Sequence, residues 1–192
     1  MHEYKRLIMQ SVFLFFLGGF MRKARKLIPG GMYHVTARIN NKEFRLSSVF
    51  CKRLFLEILT KLQKEMGFKV EHFSILDNHF HLIITTLDLE LPTIMKRLLM
   101  TFTIRYNKNY GRSGHLWGDR YFSEIIEKDI DFENCFNYIS NNAIKAELSK
   151  NTFEWQWSGL YFYINAFDLM KNWISDWVHE IYKKYIKHID HG

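Results

Sequence analysis

The chain has 192 residues, 47% of them hydrophobic and 17% aromatic, so it is long and apolar enough to fold around one sizeable core, and global disorder is not expected. Its formal net charge is +7 and its pI about 9.3, which indicates either a polyanionic partner, nucleic acid first, or a basic surface without such a role. The two cysteines, Cys51 and Cys135, form no CxxC or Cys-rich pattern. Neither a disulfide framework nor a thiolate zinc site is therefore expected, and the composition fits a reducing cytoplasm.

The first 20 residues include an apolar run over residues 11–20 that is too short to cross a bilayer. It resembles the apolar part of a signal peptide behind Lys5 and Arg6, but no small-x-small cleavage pattern follows. Met21 looks like a natural protein start. We therefore predict an extension outside the fold at residues 1–20, one domain over residues 21–165 and a C-terminal helical segment over residues 166–192. A membrane anchor at residues 1–20 is the alternative.

The first predicted elements are a strand over residues 32–40 and a helix that follows it. Ser47 or Ser48 can cap this helix, which runs to about Met66 and is closed by Gly67. Its predicted core positions recur at helical spacing. They are Phe50, Cys51, Leu54, Phe55, Ile58, Leu59 and Leu62.

A predicted β-hairpin comes next, with strands over residues 69–76 and from His79 onward, joined by the turn residues Asp77 and Asn78. A second helix starts at Leu91-Pro92. Arg105 lies close to its apolar stripe, so it is paired, at the edge of the stripe, or directed at a bound anion. The stripe contains Leu91, Met95, Leu98, Phe102 and Tyr106.

A glycine-rich loop, residues 110–121, precedes a short strand over residues 122–126 and a helix over about residues 132–148 that Asp131 can cap. An aromatic-rich, helical C-terminal part follows. The order strand–helix–strand–strand–helix–strand predicts an α+β fold: a split βαβ core in which an antiparallel sheet is covered by helices.

Two histidines at a spacing of two, His79 and His81, are predicted to share one face of a strand, while Phe80 and Leu82 share the other. Two imidazoles directed at one point are a metal-ligand geometry. His34, on the first strand, can reach this site if the two strands are neighbours. The alternative is an ordinary strand histidine bonded to a neighbour.

The last predicted core helix presents Tyr138, Asn142 and Lys145 on one face, with Tyr138 and Asn142 one turn apart. A tyrosine hydroxyl is a possible nucleophile, and an amide oxygen is a possible ligand for Mg²⁺ or Mn²⁺. Such a set suits attack on a DNA phosphodiester, with a phosphotyrosine link as the product. The alternative for Tyr138 is a surface tyrosine, and for Asn142 a solvated polar residue.

Several basic and aromatic residues are candidates for DNA contacts, through phosphates or by stacking on unpaired bases. The alternative for each of them is a solvated surface residue. The candidates are Arg38, Arg105, Arg112, Trp117, Arg120, Tyr121 and Lys145.

The segment His79-Phe80-His81 resembles the HUH motif (histidine, bulky hydrophobe, histidine) of single-strand DNA nucleases. The surrounding residues 77–83 are similar to single-tyrosine HUH transposases, with the REP-associated tyrosine transposases as the nearest branch. Residues 29–36, 112–121, 138–142 and 155–158 agree with this family in order, and the resemblance covers about residues 28–163. Two departures are Ala143 and Asp77, at positions where the family often has proline.

The resemblance implies a ferredoxin-like HUH endonuclease fold and nicking of single-stranded DNA through a 5′-phosphotyrosine intermediate. By this match Tyr138 is the nucleophile, and His79, His81 and Asn142 hold Mg²⁺ or Mn²⁺. The expected protein is a transposase that acts on hairpin or REP-like DNA in the cytoplasm, as a monomer or homodimer. The alternatives are a domesticated, non-cleaving DNA- or RNA-binding protein of the same fold and a replication initiator or relaxase.

Overall fold

The computed structural model describes residues 26–88 and 90–187, and its centre is one four-stranded sheet. The strands are β1 (Met32–Arg38), β2 (Lys69–Ile75), β3 (His79–Thr85) and β4 (Phe122–Ile126). The order across the sheet is β2-β3-β1-β4, and all neighbours are antiparallel. With one helix between β1 and β2 and another between β3 and β4, this is the ferredoxin-like arrangement. The predicted α+β fold is confirmed.

Helices α1 (Val49–Met66) and α2 (Leu91–Tyr110) cover one face of the sheet. The hydroxyl of Ser48 accepts a hydrogen bond from the amide of Cys51, and Gly67 ends α1 at a φ of 69°, a left-handed conformation that favours glycine. The predicted caps of α1 are therefore confirmed. Phe50 was wrongly placed in the core: it lies in the first turn of α1 and is 47% exposed.

Alternation along the strands gives the sheet one apolar and one polar face. Tyr33, Val35 and Ala37 of β1 point to the same side as Phe80 and Leu82 of β3, and all are buried. The ring of Phe55 on α1 packs 4.7 Å from that of Phe80. The main core thus lies between the sheet and α1 with α2, leaving the histidines of β1 and β3 on the opposite face.

The polar face is covered by α3 (Asp129–Ser140), which the short helix α4 (Asn142–Lys145) follows directly. The single helix predicted over residues 132–148 is wrong, because Asn141, at φ −87° and ψ 0°, separates two helices. The predicted cap is wrong too: α3 starts three residues earlier, behind Lys128, so Asp131 lies inside its first turn. There its carboxylate is favourable beside the helix dipole.

The C-terminal part forms α5 (Gly159–Asn165), α6 (Phe167–Met170) and α7 (Asp176–Lys187). It packs against the edge strand β2: the amide of Val70 bonds to the carbonyl of Trp173, and the carboxylate of Glu71 accepts bonds from Ser175. A charge buried at a sheet edge requires such partners. The backbone of β2 is therefore tied to residues more than 100 positions later in the chain.

The predicted extension at residues 1–20, with its alternative as a membrane anchor, lies outside the described residues. Within residues 26–88 and 90–187, no helix has both the length and the apolar character that a membrane span requires.

Candidate active site

The polar face of the sheet brings three histidines together under α3. His34 of β1 and His81 of β3 are both buried, and His79 lies at the start of β3. The His79 and His81 rings are 5.1 Å apart between centroids and nearly perpendicular, at 82°. The two motif histidines lie on one face of β3, as predicted. The register agrees, because His81 pairs with Thr36 and His79 pairs with Arg38, two residues of β1 that also share a face.

Each motif histidine has its Nδ1 atom engaged in a hydrogen bond. Nδ1 of His79 lies 2.7 Å from Oδ1 of Asn78, and Nδ1 of His81 lies 2.9 Å from Nε2 of His34. Metal-binding histidines typically use one ring nitrogen on the metal while the other is held by a neighbouring group. In both rings the nitrogen that remains for a ligand is Nε2.

Burial keeps the three imidazoles neutral. It lowers the pKa of His34 to about 4, and burial together with the charge of Arg38 lowers the pKa of His79 to about 3. The pKa of His81 is also well below its ordinary value, through burial first and then through its charged neighbours. Neutral imidazole is the form that binds a metal. The histidines are therefore ready to act as ligands at neutral pH without losing a proton.

Tyr138 of α3 lies over this cluster. Its ring centroid is 5.5 Å from that of His81 and 6.0 Å from that of His34, both edge-on. Burial raises the pKa of its hydroxyl, which the Asn142 amide and the Arg38 charge lower in part. Tyr138 is thus protonated at neutral pH. The predicted nucleophile and the two motif histidines meet within a single chain.

Asn142 and Lys145 lie beside Tyr138 as the helical spacing predicted, even though α3 ends at Ser140. Backbone hydrogen bonds from Asn141 to Asn137 and from Lys145 to Asn141 continue the helical path across the break. The Lys145 ammonium lies 4.7 Å from the centre of the Tyr138 ring. Asn142 is 8% exposed, and its amide lies close enough to the Tyr138 hydroxyl to lower the pKa of that hydroxyl.

The donor set fits a hard divalent cation only if Asn142 takes part. Within the described ranges, 26–88 and 90–187, no three His, Cys, Asp or Glu side chains are grouped as ligands for a metal. In a set of two imidazole nitrogens and one amide oxygen, the third ligand comes from an asparagine, which is not one of those four residue types. An amide oxygen suits Mg²⁺ or Mn²⁺. The observation that supports this role is that Asn142 is buried beside Tyr138, whose pKa its amide lowers, and does not face solvent.

Asp77, one of the two departures from the family pattern, has a structural partner. Its carboxylate lies 2.5 Å from the ammonium of Lys52 on α1, and Lys52 is almost fully buried. The same ammonium bonds to the carbonyl of Ser47. A buried charge pair with a further hydrogen bond fixes the turn that leads into His79. This pair holds the start of β3 where the family often has a proline.

Four of the predicted DNA-binding residues lie in two places, at the histidine cluster and on the segment over residues 111–121. Arg38 and Lys145 lie at the cluster, where Arg38 acts on the pKa of His79 and Lys145 on that of His81. Arg112 and Arg120 are exposed on the segment over residues 111–121, which packs against the end of β1 through the Ile39–Trp117 bridge.

Two further candidates lie elsewhere. Arg105 forms a two-pronged ion pair with Glu57 of α1, on the far side of the sheet from the histidines. Of the three alternatives given for Arg105, the structure shows the first, a side chain paired with a carboxylate. The ring of Trp117 packs 5.5 Å from Phe80 and 5.7 Å from Phe102, and its Nε1 donates to the carbonyl of Leu99. The structure does not bring either side chain to the cluster.

A second buried polar cluster, absent from the sequence-based predictions, connects α3 to α7 through β2. Nε2 of His72 lies 3.0 Å from the hydroxyl of Ser140, and Nδ1 lies 2.7 Å from the hydroxyl of Tyr182. Burial lowers the pKa of His72 to about 3, so the imidazole is neutral. The available signal was alternation: His72 and Ser74 pair with Ile83 and His81, so they face the same side as the motif histidines.

The ferredoxin-like sheet, the strand histidines and the helix tyrosine together define an α+β protein with the HUH endonuclease fold. Comparison with known families agrees: the family described as "Transposase IS200 like" matches residues 28–142, and the chain belongs to this family. The family recognised from the sequence is thereby confirmed. A search among curated proteins finds no match.

Two solved structures are similar to this chain. One is a REP-associated tyrosine transposase bound to a REP hairpin, with a TM-score of 0.66 and 18% identity, covering 82% of this chain and 93% of that one. This match supports the fold. The other is a candidate transposase from Deinococcus radiodurans R1, with a TM-score of 0.45 and 19% identity over 63% of this chain and 97% of that one.

Proposed function

We propose that the protein is a metal-dependent single-stranded DNA endonuclease and strand transferase, a transposase that forms a 5′-phosphotyrosine intermediate on hairpin or REP-like DNA. The observation that carries this proposal is the position of Tyr138, whose ring lies 5.5 Å from that of His81 in the same chain. A tyrosine beside two neutral imidazoles brings a nucleophile and a metal-ligand pair to one place.

Nε2 of His79, Nε2 of His81 and the amide oxygen of Asn142 would hold Mg²⁺ or Mn²⁺. When bound, the ion supplies positive charge that polarises the scissile phosphate. The residues around it prepare the ligands: Asn78 and His34 hold the other ring nitrogens, and Lys52 with Asp77 fixes the turn before His79. Because a preorganised ligand set does not have to rearrange when the ion binds, its affinity for the ion is higher.

In the covalent step, the hydroxyl oxygen of Tyr138 attacks the phosphorus, and the bond from phosphorus to the 3′ oxygen breaks. The tyrosine loses one proton and the departing 3′ oxygen gains one, so the products are a 5′-phosphotyrosine and a free 3′-hydroxyl. Burial raises the pKa of Tyr138 and so disfavours the anionic form of its oxygen, which positively charged neighbours favour. Arg38 favours the anionic oxygen, and Arg38 and the Lys145 ammonium over the Tyr138 ring provide positive charge that attracts the phosphate.

The proposed DNA-binding residues are Arg38, Arg112, Arg120 and Lys145. The charge of +7 suits a polyanion, and the solved relative with the same fold is bound to a REP hairpin. Arg105 and Trp117 are left out of this proposal because the first is ion-paired with Glu57 and the second packs against Phe80.

The test is incubation of the protein with hairpin DNA carrying a single-stranded flank, with Mg²⁺ or Mn²⁺, followed by a denaturing gel. We expect a covalent protein–DNA adduct that needs the metal and disappears in Tyr138→Phe. The matched control is Tyr110→Phe, since Tyr110 is 44% exposed on the other side of the sheet. DNA binding without any adduct in the unmodified protein would instead favour the domesticated, non-cleaving protein.

A further inference from the structure

His34 is fully buried and contacts the proposed ligand His81 directly. Its Nε2 lies 2.9 Å from Nδ1 of His81, and the two ring planes are nearly parallel, at 22°, with their centroids 5.1 Å apart. A single proton lies between these two nitrogens, because one must donate and the other accept. Where that proton resides decides whether Nε2 of His81 carries a hydrogen or a free electron pair.

On its other side, His34 faces an acid. The register of β1 and β4 pairs His34 with Glu124, and directly paired residues have their Cβ atoms about 4.5–5.5 Å apart. Nδ1 of His34 and Oε2 of Glu124 are both buried without a hydrogen-bond partner. The two atoms are not bonded directly to each other, and one bridging water would satisfy both. The two atoms are complementary because Nδ1 of His34 can donate a hydrogen bond and Oε2 of Glu124 can accept one.

The chemistry of the three groups sets one direction along the chain Glu124–His34–His81. Burial, and then the charge of Asp131, raises the pKa of Glu124. In its ionised form the carboxylate only accepts, so it favours the His34 proton on Nδ1. Nε2 of His34 then accepts, and the proton of His81 resides on Nδ1. Nε2 of His81 is left with its electron pair toward the metal. The reverse direction would place a hydrogen on the nitrogen that has to bind.

Resting on the proposed function, we propose that His34 is a positioning residue that holds His81 in its metal-binding tautomer, with Glu124 fixing the direction of the hydrogen bonds. Neither residue contacts the metal in this arrangement. Outer groups of this kind typically contribute a factor of about 10–100 in metal affinity. The structure thus extends the proposed site by one residue on β1 and one on β4.

The test measures Mn²⁺ affinity directly, by electron paramagnetic resonance of the free ion, with and without hairpin DNA. All proteins carry Tyr138→Phe, so the DNA stays intact. We expect His34→Leu to lower the affinity about 10–100-fold. His34→Gln should restore most of it, because the amide oxygen can accept from His81. Glu124→Gln should lower it less, and should have no further effect once His34 is leucine.

Val35→Ala is the matched control, because Val35 is buried on the same strand but faces the other side of the sheet. It should lower the melting temperature and leave the Mn²⁺ affinity unchanged. Unaltered affinity in a folded His34→Leu, or a His34→Gln that binds no better than His34→Leu, would overturn the inference.

A second measurement does not depend on any substitution. Nitrogen-15 spectra of the imidazoles in the metal-free protein should show the His81 hydrogen on Nδ1, whereas a hydrogen on Nε2 would overturn the inference even if His34→Leu fails to fold. Absence of Mn²⁺ binding in the His34-containing protein refutes the proposed function and this inference together. Mn²⁺ affinity that does not change when His34 is substituted refutes only the inference.

Discussion

Tyr182→Phe removes one buried hydroxyl from the cluster that joins α3 to α7. This hydroxyl lies 2.7 Å from Nδ1 of His72 and donates to the carbonyl of Glu71 at 3.1 Å. The ring itself should stay, stacked at 4.4 Å on Tyr163. One net hydrogen bond contributes about 1 kcal/mol, and a buried group left unpaired costs about 1–3 kcal/mol. We therefore expect the free energy of unfolding to fall by about 1–3 kcal/mol.

Urea denaturation followed by circular dichroism measures this change. Tyr110→Phe is the control. Tyr110 is 44% exposed at the end of α2, and its hydroxyl is 3.4 Å from both Ser48 and Cys51, so its loss should change stability by less than about 0.5 kcal/mol. Equal stability of Tyr182→Phe and the unmodified protein would show that the cluster does not hold α7 on the sheet, and the reasoning would fail.

Three other predictions concern the site and its surroundings. His79→Ala and Asn142→Ala should each lower Mn²⁺ affinity at least about 10-fold in calorimetry, and unchanged affinity would exclude either as a ligand. Because the pKa of His72 falls from 6.5 to about 3 on folding, its contribution is complete above pH 6.5 and is lost as the pH falls toward 3. Between pH 6.5 and 4.5, His72 should lower the free energy of unfolding by up to about 1.4 kcal/mol per pH unit, and His72→Gln should remove this part of the pH dependence. An identical pH dependence in the unmodified protein and in His72→Gln would contradict this. Arg38→Gln should weaken hairpin binding and reduce the salt slope by about one, whereas Arg105→Gln, on the far face, should change neither.

Local patterns predicted the elements that hold the motif histidines. Period-two alternation placed His79 and His81 on one face, and β4 was predicted with the observed bounds. Helical spacing placed Asn142 beside Tyr138 although the helix breaks at Asn141, because the backbone bond from Lys145 to Asn141 preserves the turn. These features depend on residues that are close in sequence, where periodicity is informative.

The remaining features depend on contacts between distant parts of the chain. The bonds of His72 to Ser140 and Tyr182 join residues 68 and 110 positions apart, and no spacing rule indicates them. Phe50 follows the apolar stripe of α1 but lies in its first turn, beyond the cover of the sheet. The loop position of Trp117 makes it a candidate for stacking on DNA bases, whereas its ring is partly buried against Phe80 and Phe102 at the edge of the core. In each case tertiary packing decided between alternatives that the sequence left open.

The most direct test of Tyr138 as the nucleophile is to locate the covalent link. The protein is incubated with Mn²⁺ and a hairpin oligonucleotide, the adduct is digested with protease and nuclease, and the modified peptide is identified by mass spectrometry. We expect a 5′-linked nucleotide on Tyr138 and none on Tyr163 or Tyr185. An adduct on another tyrosine, or an adduct that persists in Tyr138→Phe, would contradict it.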